Sequence, residues 1–235
     1  MRLQELSVEA IPYHDELNPV LWSGDHLKTE IRYKLLLIAK HFAKFLNVLD
    51  LNLRDITISG SNAAYGYTVG SDLDLHLVVD IPSDRPDLIE LYDAKKNQYN
   101  LKYDIKIKDI PIELYVQDSK QPHTSAGIYS LLNDEWIRKP KHESPKVTEQ
   151  EVKSKARNYA GQINAAIKSH DLGISLNVLS DLYRLRKAGL EEGGENSVEN
   201  LAFKLLRSRG QLTKLKNFID KLQSDELSLK EGNKK

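Results

Sequence analysis

Residues 56–79 read ITISGSNAAYGYTVGSDLDLHLVV, and this stretch decides how the first half of the chain folds. Ile56-Thr57-Ile58 is a short β-branched strand that runs into Gly60-Ser61. Glycine in that place allows a tight turn and a close backbone approach, and the serine starts a short helical segment. A second strand follows, carrying Asp72 and Asp74. Residues two apart on a strand project from one face. With Leu73 and Leu75 on the opposite face, the two carboxylates predict a divalent-cation site beside a phosphate-binding turn.

Working outward, the first twenty or so residues have little periodicity, and Pro12 and Pro19 predict an extended arm lying on the core. Asp25 is an expected N-cap for a helix with its apolar stripe at Leu27, Ile31, Leu35, Ile38, Phe42, Phe45 and Leu49. After the acidic strand, Pro82 and Pro86 punctuate a turn into a helix over about 86–99. Tyr103, Ile105 and Ile107 alternate with polar residues as a third strand, and residues 112–116 form a fourth. Glu113 there repeats the apolar–carboxylate–apolar pattern. If its strand lies beside that of Asp72 and Asp74, three carboxylates converge.

From Pro122 onward the pattern is helical. A short helix is expected over 125–134, then a Pro- and Lys-rich linker over 138–146. Helical stripes follow at Val152, Ala156, Tyr159, Ala160, Ile163 and Ile167; at Leu176, Leu179, Leu182 and Leu185; at Val198, Leu201 and Leu205; and at Leu212, Leu215, Phe218 and Leu222. Gly173, Gly193-Gly194 and Gly210 are the expected separators. The tail after Leu229 is expected to be disordered. The chain therefore reads as α+β: an α/β region over 1–122 with its N-terminal arm, then an all-helical region over 123–235.

The 235 residues carry 34 basic and 34 acidic side chains, 40% hydrophobic residues and no cysteine. That composition excludes a disordered chain, a disulfide scaffold and thiolate zinc sites. The N-terminus lacks a signal-peptide pattern, and the most apolar helical segment is interrupted by Lys34, Lys40, His41 and Lys44. A cytoplasmic protein without membrane contact is the expectation. Charge is nonetheless uneven: residues 1–119 hold 13 Lys/Arg against 19 Asp/Glu, and residues 120–235 hold 21 against 15. This fits an acidic region docked on a basic one or solvated helix faces. It fits equally a basic helical region, with Arg184, Arg186, Lys187, Arg207 and Arg209, that receives a polyanion.

Gly60-Ser61, a spacer, Ser71-Asp72-Leu73-Asp74-Leu75 and a later strand with Glu113 together resemble the signature of the DNA polymerase β-like nucleotidyltransferases. Residues 14–22 (HDELNPVLW) and 112–118 (IELYVQD) are also similar to nucleotidyltransferase-like proteins of tailed bacteriophages. One departure is Glu113, since Asp is frequent at that position. The resemblance implies a mixed sheet with flanking helices, Mg²⁺ or Mn²⁺ held by Asp72, Asp74 and Glu113, and an NTP such as ATP. It implies that the two aspartates bridge two ions, with Glu113 a ligand or base, in an in-line attack that releases pyrophosphate. Gly60, Ser61, Asn62 and Ser71 would contact the nucleotide, lying in a cleft between the two regions. The acceptor stays open between an RNA 3′ end, a protein hydroxyl, a small molecule and a second nucleotide. RNA or protein would use the basic helical region. Two alternatives are a non-catalytic nucleotide sensor on the same fold and alarmone-type pyrophosphate transfer.

Other residues carry two readings each. His76 shares the face of Asp72 and Asp74 and either approaches the nucleotide or is hydrogen-bonded further along the strand. Tyr65 and Tyr67 either stack on a base or pack the loop. His123, Thr124 and Tyr129 are candidates for base or sugar contact. Trp22 and Trp136 are most simply core or interface anchors.

Overall fold

Leu73, Leu75, Leu77 and Val79 alternate with Asp74, His76 and Val78, and that period of two makes β4 (Leu73–Val79). The four apolar side chains are at most 1% exposed, whereas the other three are half-buried on the opposite face. In the computed structural model the described residues are 13–48, 51–68, 70–123, 125–143 and 146–228. The expected arm falls mostly, and the tail after Leu229 wholly, outside them. The chain divides into two compact units, Pro12–Ser144 and one that contains Pro145–Lys235.

The first unit is built on a six-stranded mixed sheet. In chain order its elements are β1 (Trp22–Ser23), β2 (His26–Leu27), α1 (Thr29–Leu46), β3 (Leu53–Ser59), a 3-10 turn (Ser61–Ala63) and β4. Then follow α2 (Asp87–Lys102), β5 (Lys106–Ile107), β6 (Ile110–Asp118), β7 (Ile128–Ser130) and β8 (Glu135–Arg138). The sheet order is β5-β6-β4-β3-β7-β8, while β1 and β2 pair separately. Only β4 and β6 run parallel, and α2 makes the crossover between them. The other pairs are antiparallel. One sheet face and the apolar stripes of α1 and α2 close over a single core of Leu35, Phe42, Ile58, Leu75, Tyr99, Leu114 and their neighbours.

Several expectations are corrected. Asp25 does not cap a helix: Gly24, at φ +57°, turns the chain into the β1–β2 hairpin, and α1 starts at Thr29. Residues 125–134 are not helical, because Thr57 and Ile58 of β3 offer a free edge to Ser130 and Tyr129, and β8 adds to β7. Residues 123–143 therefore belong with the sheet, and the division falls at 144/145 rather than at 122/123. The strand expected around Tyr103–Ile107 shortens to two residues, closed onto β6 by Lys108 and Asp109, both at positive φ.

The second unit is all-helical: α3 (Glu149–Ser169), α4 (Leu172–Gly193), α5 (Val198–Ser208) and α6 (Gln211–Leu227). Thr148 and Glu151 form a capping box at the start of α3, and Asp171 and Ser197 cap α4 and α5. Gly173 lies inside α4; the break before it is made by His170 in the left-handed region and the Asp171 cap. Val152, Tyr159, Ile163, Leu182, Leu201, Leu205, Leu212 and Leu215 are among its buried side chains. Among the described residues no helix is long and apolar enough to cross a membrane.

Gly127 has no space for a side chain: a Cβ there would lie 1.8 Å from the Ala63 carbonyl oxygen. Gly161, on the exposed side of α3, meets nothing within 4 Å. Gly127→Ala should destabilise the protein by more than about 2 kcal/mol. Gly161→Ala should stabilise it by roughly 0.5–1 kcal/mol. Urea unfolding of the two variants checks both signs.

Candidate functional site

The half-buried face of the sheet carries polar side chains in register. In the antiparallel β3–β4 pair, Ser59 lies opposite Asp74 and Thr57 opposite His76. In the parallel β4–β6 pair, Asp74 lies opposite Glu113 and His76 opposite Tyr115. Asp72, immediately before β4, shares the face. One carboxylate oxygen from each of Asp72, Asp74 and Glu113 falls within 4.8 Å of the others. The predicted convergence of three carboxylates is what the structure has, and such a group could hold a metal ion. All three are half-buried hard-oxygen donors, the set that suits Mg²⁺ or Mn²⁺ rather than a soft cation.

The backbone around the centre is tightly specified. Gly60, at φ +82°, leads from β3 into the 3-10 turn, and a Cβ on it would sit 2.3 Å from Asp74 Oδ2. The glycine thus lets the turn lie directly against an Asp74 carboxylate oxygen. On the other flank, Asn100 of α2 donates to the Leu114 carbonyl oxygen and accepts from the Leu114 amide, at 3.0 and 3.2 Å. This ties down the strand edge next to Glu113 beyond the short β5.

Among the expected nucleotide contacts, Gly60 and Ser61 flank the centre, but Asn62 and Ser71 are committed elsewhere. Asn62 is fully buried; its Oδ1 accepts from Asn18, and its Nδ2 donates to the carbonyl oxygens of Ser71 and Asp72 at 3.1 and 2.8 Å. Its own carbonyl oxygen accepts from Trp22 Nε1. The Ser71 hydroxyl accepts from the Thr68 amide and from Ser61 Oγ. Both side chains brace the turn that leads to Asp72.

Tyr65 and Tyr67 pack the loop: Tyr67 stacks on His14 at 3.9 Å, and Tyr65 meets Tyr13 and His142 edgewise or tilted. Trp22 and Trp136 stack at 4.7 Å with Tyr129 against both, inside the first unit. In the second unit Arg184 pairs with Asp181, Lys187 with Glu191, and Arg186 lies over Phe203. Thr124 lies outside the described residues.

Tyr115 was not singled out by the sequence reading, though its spacing of two from Glu113 places it on the same face. Its hydroxyl is hydrogen-bonded to Glu113; burial, then the Asp74 and Glu113 charges, push its pKa far up and keep the phenol protonated. Its ring stacks on His76 at 5.0 Å, with Lys96 Nζ 5.1 Å above it. His76 Nε2 meets Ser59 Oγ at 3.1 Å, and its ring lies 5.1 Å from that of His123. Burial, with the charges of His123 and Lys96, lowers the pKa of His76 to about 3. Burial and Arg138 also lower that of His123. Both imidazoles are neutral at pH 7.

No protein-family model matches the chain, and no curated protein is detectably similar to it.

Two expectations follow. Gly60→Ala must displace the Asp74 carboxylate as well as strain the turn, so Mn²⁺ affinity measured by paramagnetic resonance should fall by about tenfold or more. His76 is a base whose folded pKa lies below its unfolded 6.5. Between pH 6.5 and 3 the unfolded chain takes up a proton that the folded protein refuses, so stability falls as pH falls. With EDTA present, the wild-type slope should exceed that of His76→Gln by up to about 1.4 kcal/mol per pH unit. Urea unfolding across that range measures it.

Proposed function

We propose that this chain is a nucleotidyltransferase of the polymerase β-like kind. It would move a nucleoside monophosphate from an NTP to a hydroxyl acceptor and release pyrophosphate. The observation that carries this reading is the meeting of three carboxylates from two parallel strands, within 4.8 Å, against a glycine–serine turn. A single Asp-x-Asp on a solvated strand would not require Gly60 to be flush with Asp74 or Asn100 to pin β6.

Asp72, Asp74 and Glu113 would hold Mg²⁺ or Mn²⁺. Bound cations supply charge neutralisation at the phosphates and a lowered pKa for a coordinated hydroxyl. The chain's own groups do the rest. Glu113, which is hydrogen-bonded to the protonated Tyr115 hydroxyl, would take the proton of the acceptor hydroxyl. The acceptor oxygen bonds to the α-phosphorus as the bond to the bridging oxygen breaks, and pyrophosphate leaves. Ser61 would turn its hydroxyl from Ser71 to the β- and γ-phosphates, with the backbone at Gly60 close enough to approach them.

Asp72→Asn, Asp74→Asn and Glu113→Gln should each lower pyrophosphate release from NTP and Mg²⁺ in a total lysate by roughly a thousandfold, about 4 kcal/mol in the barrier. Circular dichroism and the thermal midpoint should show each variant folded. Wild-type turnover in any folded variant overturns the assignment.

A further inference from the structure

Next to Asp74, on the side away from the Gly60 turn, the sheet face opens into a concavity of about 320 Å³. Ser59, Asp74, His76, Tyr115 and Gln117 line it, together with Gln121, His123 and Ser125. Arg138 Nη1 donates to the carbonyl oxygens of His123 and Ser125 at 2.9 and 3.0 Å. The concavity shares Asp74 with the carboxylate centre, so whatever fills it lies against the reacting groups.

We propose that this concavity is the acceptor site, and that the acceptor is an uncharged, polyhydroxylated small molecule of sugar or nucleoside type. The inference rests on the nucleotidyltransferase reading and narrows its open term. Three properties of the lining carry it. First, its polar groups are hydroxyls, amides and imidazoles; the one charged side chain is Asp74, and neither Lys nor Arg lines it. A nucleic-acid strand needs a row of cations along its phosphates, and beside this lining, among the described residues, there is a single ammonium group, Lys96 Nζ, held over the Tyr115 ring. Arg138 Nη1 is committed to the His123 and Ser125 carbonyls. Second, two buried polar atoms of lining residues, His76 Nδ1 and His123 Nε2, have no hydrogen-bond partner among the described residues. A buried polar atom without a partner is costly, so a multiply hydrogen-bonding guest is favoured over an apolar one. Imidazole ring nitrogens suit a hydroxylated guest, because hydroxyls both donate and accept. Third, the volume is at the low end of small-molecule pockets, which run from roughly 300 Å³.

The test uses the full chain with α-labelled NTP, Mg²⁺ and a lysate split into ultrafiltrate and macromolecules. Ser125→Trp fills the concavity, and Gln121→Trp intrudes from an exposed position that folding tolerates. Wild type should label a species in the ultrafiltrate. Both variants should lose that labelling at least about tenfold while NTP binding, followed by equilibrium dialysis, stays unchanged. Saturation-transfer NMR with a panel of hexoses, cyclitols and nucleosides, without NTP, should show binding to wild type and Asp72→Asn but not to Ser125→Trp. Label on RNA or protein, or undiminished small-molecule labelling by the folded variants, overturns the acceptor assignment and leaves the transferase reading standing. No NTP binding, or no label in any fraction, overturns the transferase reading itself.

Discussion

The parallel pairing of β4 with β6 is the constraint on which the candidate centre depends. Its register sets Asp74 beside Glu113 and His76 beside Tyr115. A slip of one residue would turn Glu113 into the apolar core and bring Ile112 or Leu114 to the open face. Ile112 and Leu114 are 7% and 1% exposed, so the core resists that slip through the same burial that stabilises the strand. A parallel neighbour also requires a crossover, and α2 supplies it while placing Asn100 on the outer edge of β6. One helix thus satisfies the topology and holds the strand that carries the third carboxylate.

The turn between β3 and β4 is held by a different kind of force. Little apolar area is available there, and the loop is instead closed by buried polar groups that satisfy each other. Asn18, Asn62, Ser71 and Trp22 link the N-terminal hairpin, the 3-10 turn and the approach to Asp72. In a buried place such a network is costly when broken, since each lost partner strands another polar atom. Two glycines complete it by letting backbone approach closely, Gly60 against Asp74 and Gly127 against Ala63. The carboxylate face is therefore positioned on both sides before any ligand arrives.

What was legible in the sequence was local. The period of two in residues 72–79 and the stripes of α1, α3, α5 and α6 follow from which side of one element is buried, and those elements formed, α1 starting at Thr29 rather than near Asp25. Asp72, Asp74 and Glu113 were legible because alternation places each of them opposite apolar neighbours. The β7–β8 hairpin was not, because Ile128, Tyr129 and Leu131 carry no period that distinguishes strand from helix over so few residues. Their pairing depends on the free edge of β3, some seventy residues earlier. The structural role of Asn62 was hidden for a related reason: its partners Asn18 and Trp22 come from some forty residues earlier in the chain. In α4 the stripe at Leu176, Leu179, Leu182 and Leu185 is unevenly buried: Leu176 is 40% exposed and Leu182 is 1%.

Electrostatics divides the open face into two chemistries. A carboxylate two residues away would ordinarily favour a charged imidazole at position 76. Burial outweighs that attraction, and His76 stays neutral with a pKa of about 3. The imidazole nearest along the strand therefore does not compensate the carboxylate charge, and the gap between two acidic residues on one strand face is one that a divalent cation fills well. Tyr115 obeys the same balance from the other direction: burial and the neighbouring anions hold its phenol protonated, so it can donate to Glu113 but cannot add a negative charge. The anionic charge of this face is thus concentrated in the three carboxylates, while His76 and Tyr115 beside them contribute neutral hydrogen-bonding groups.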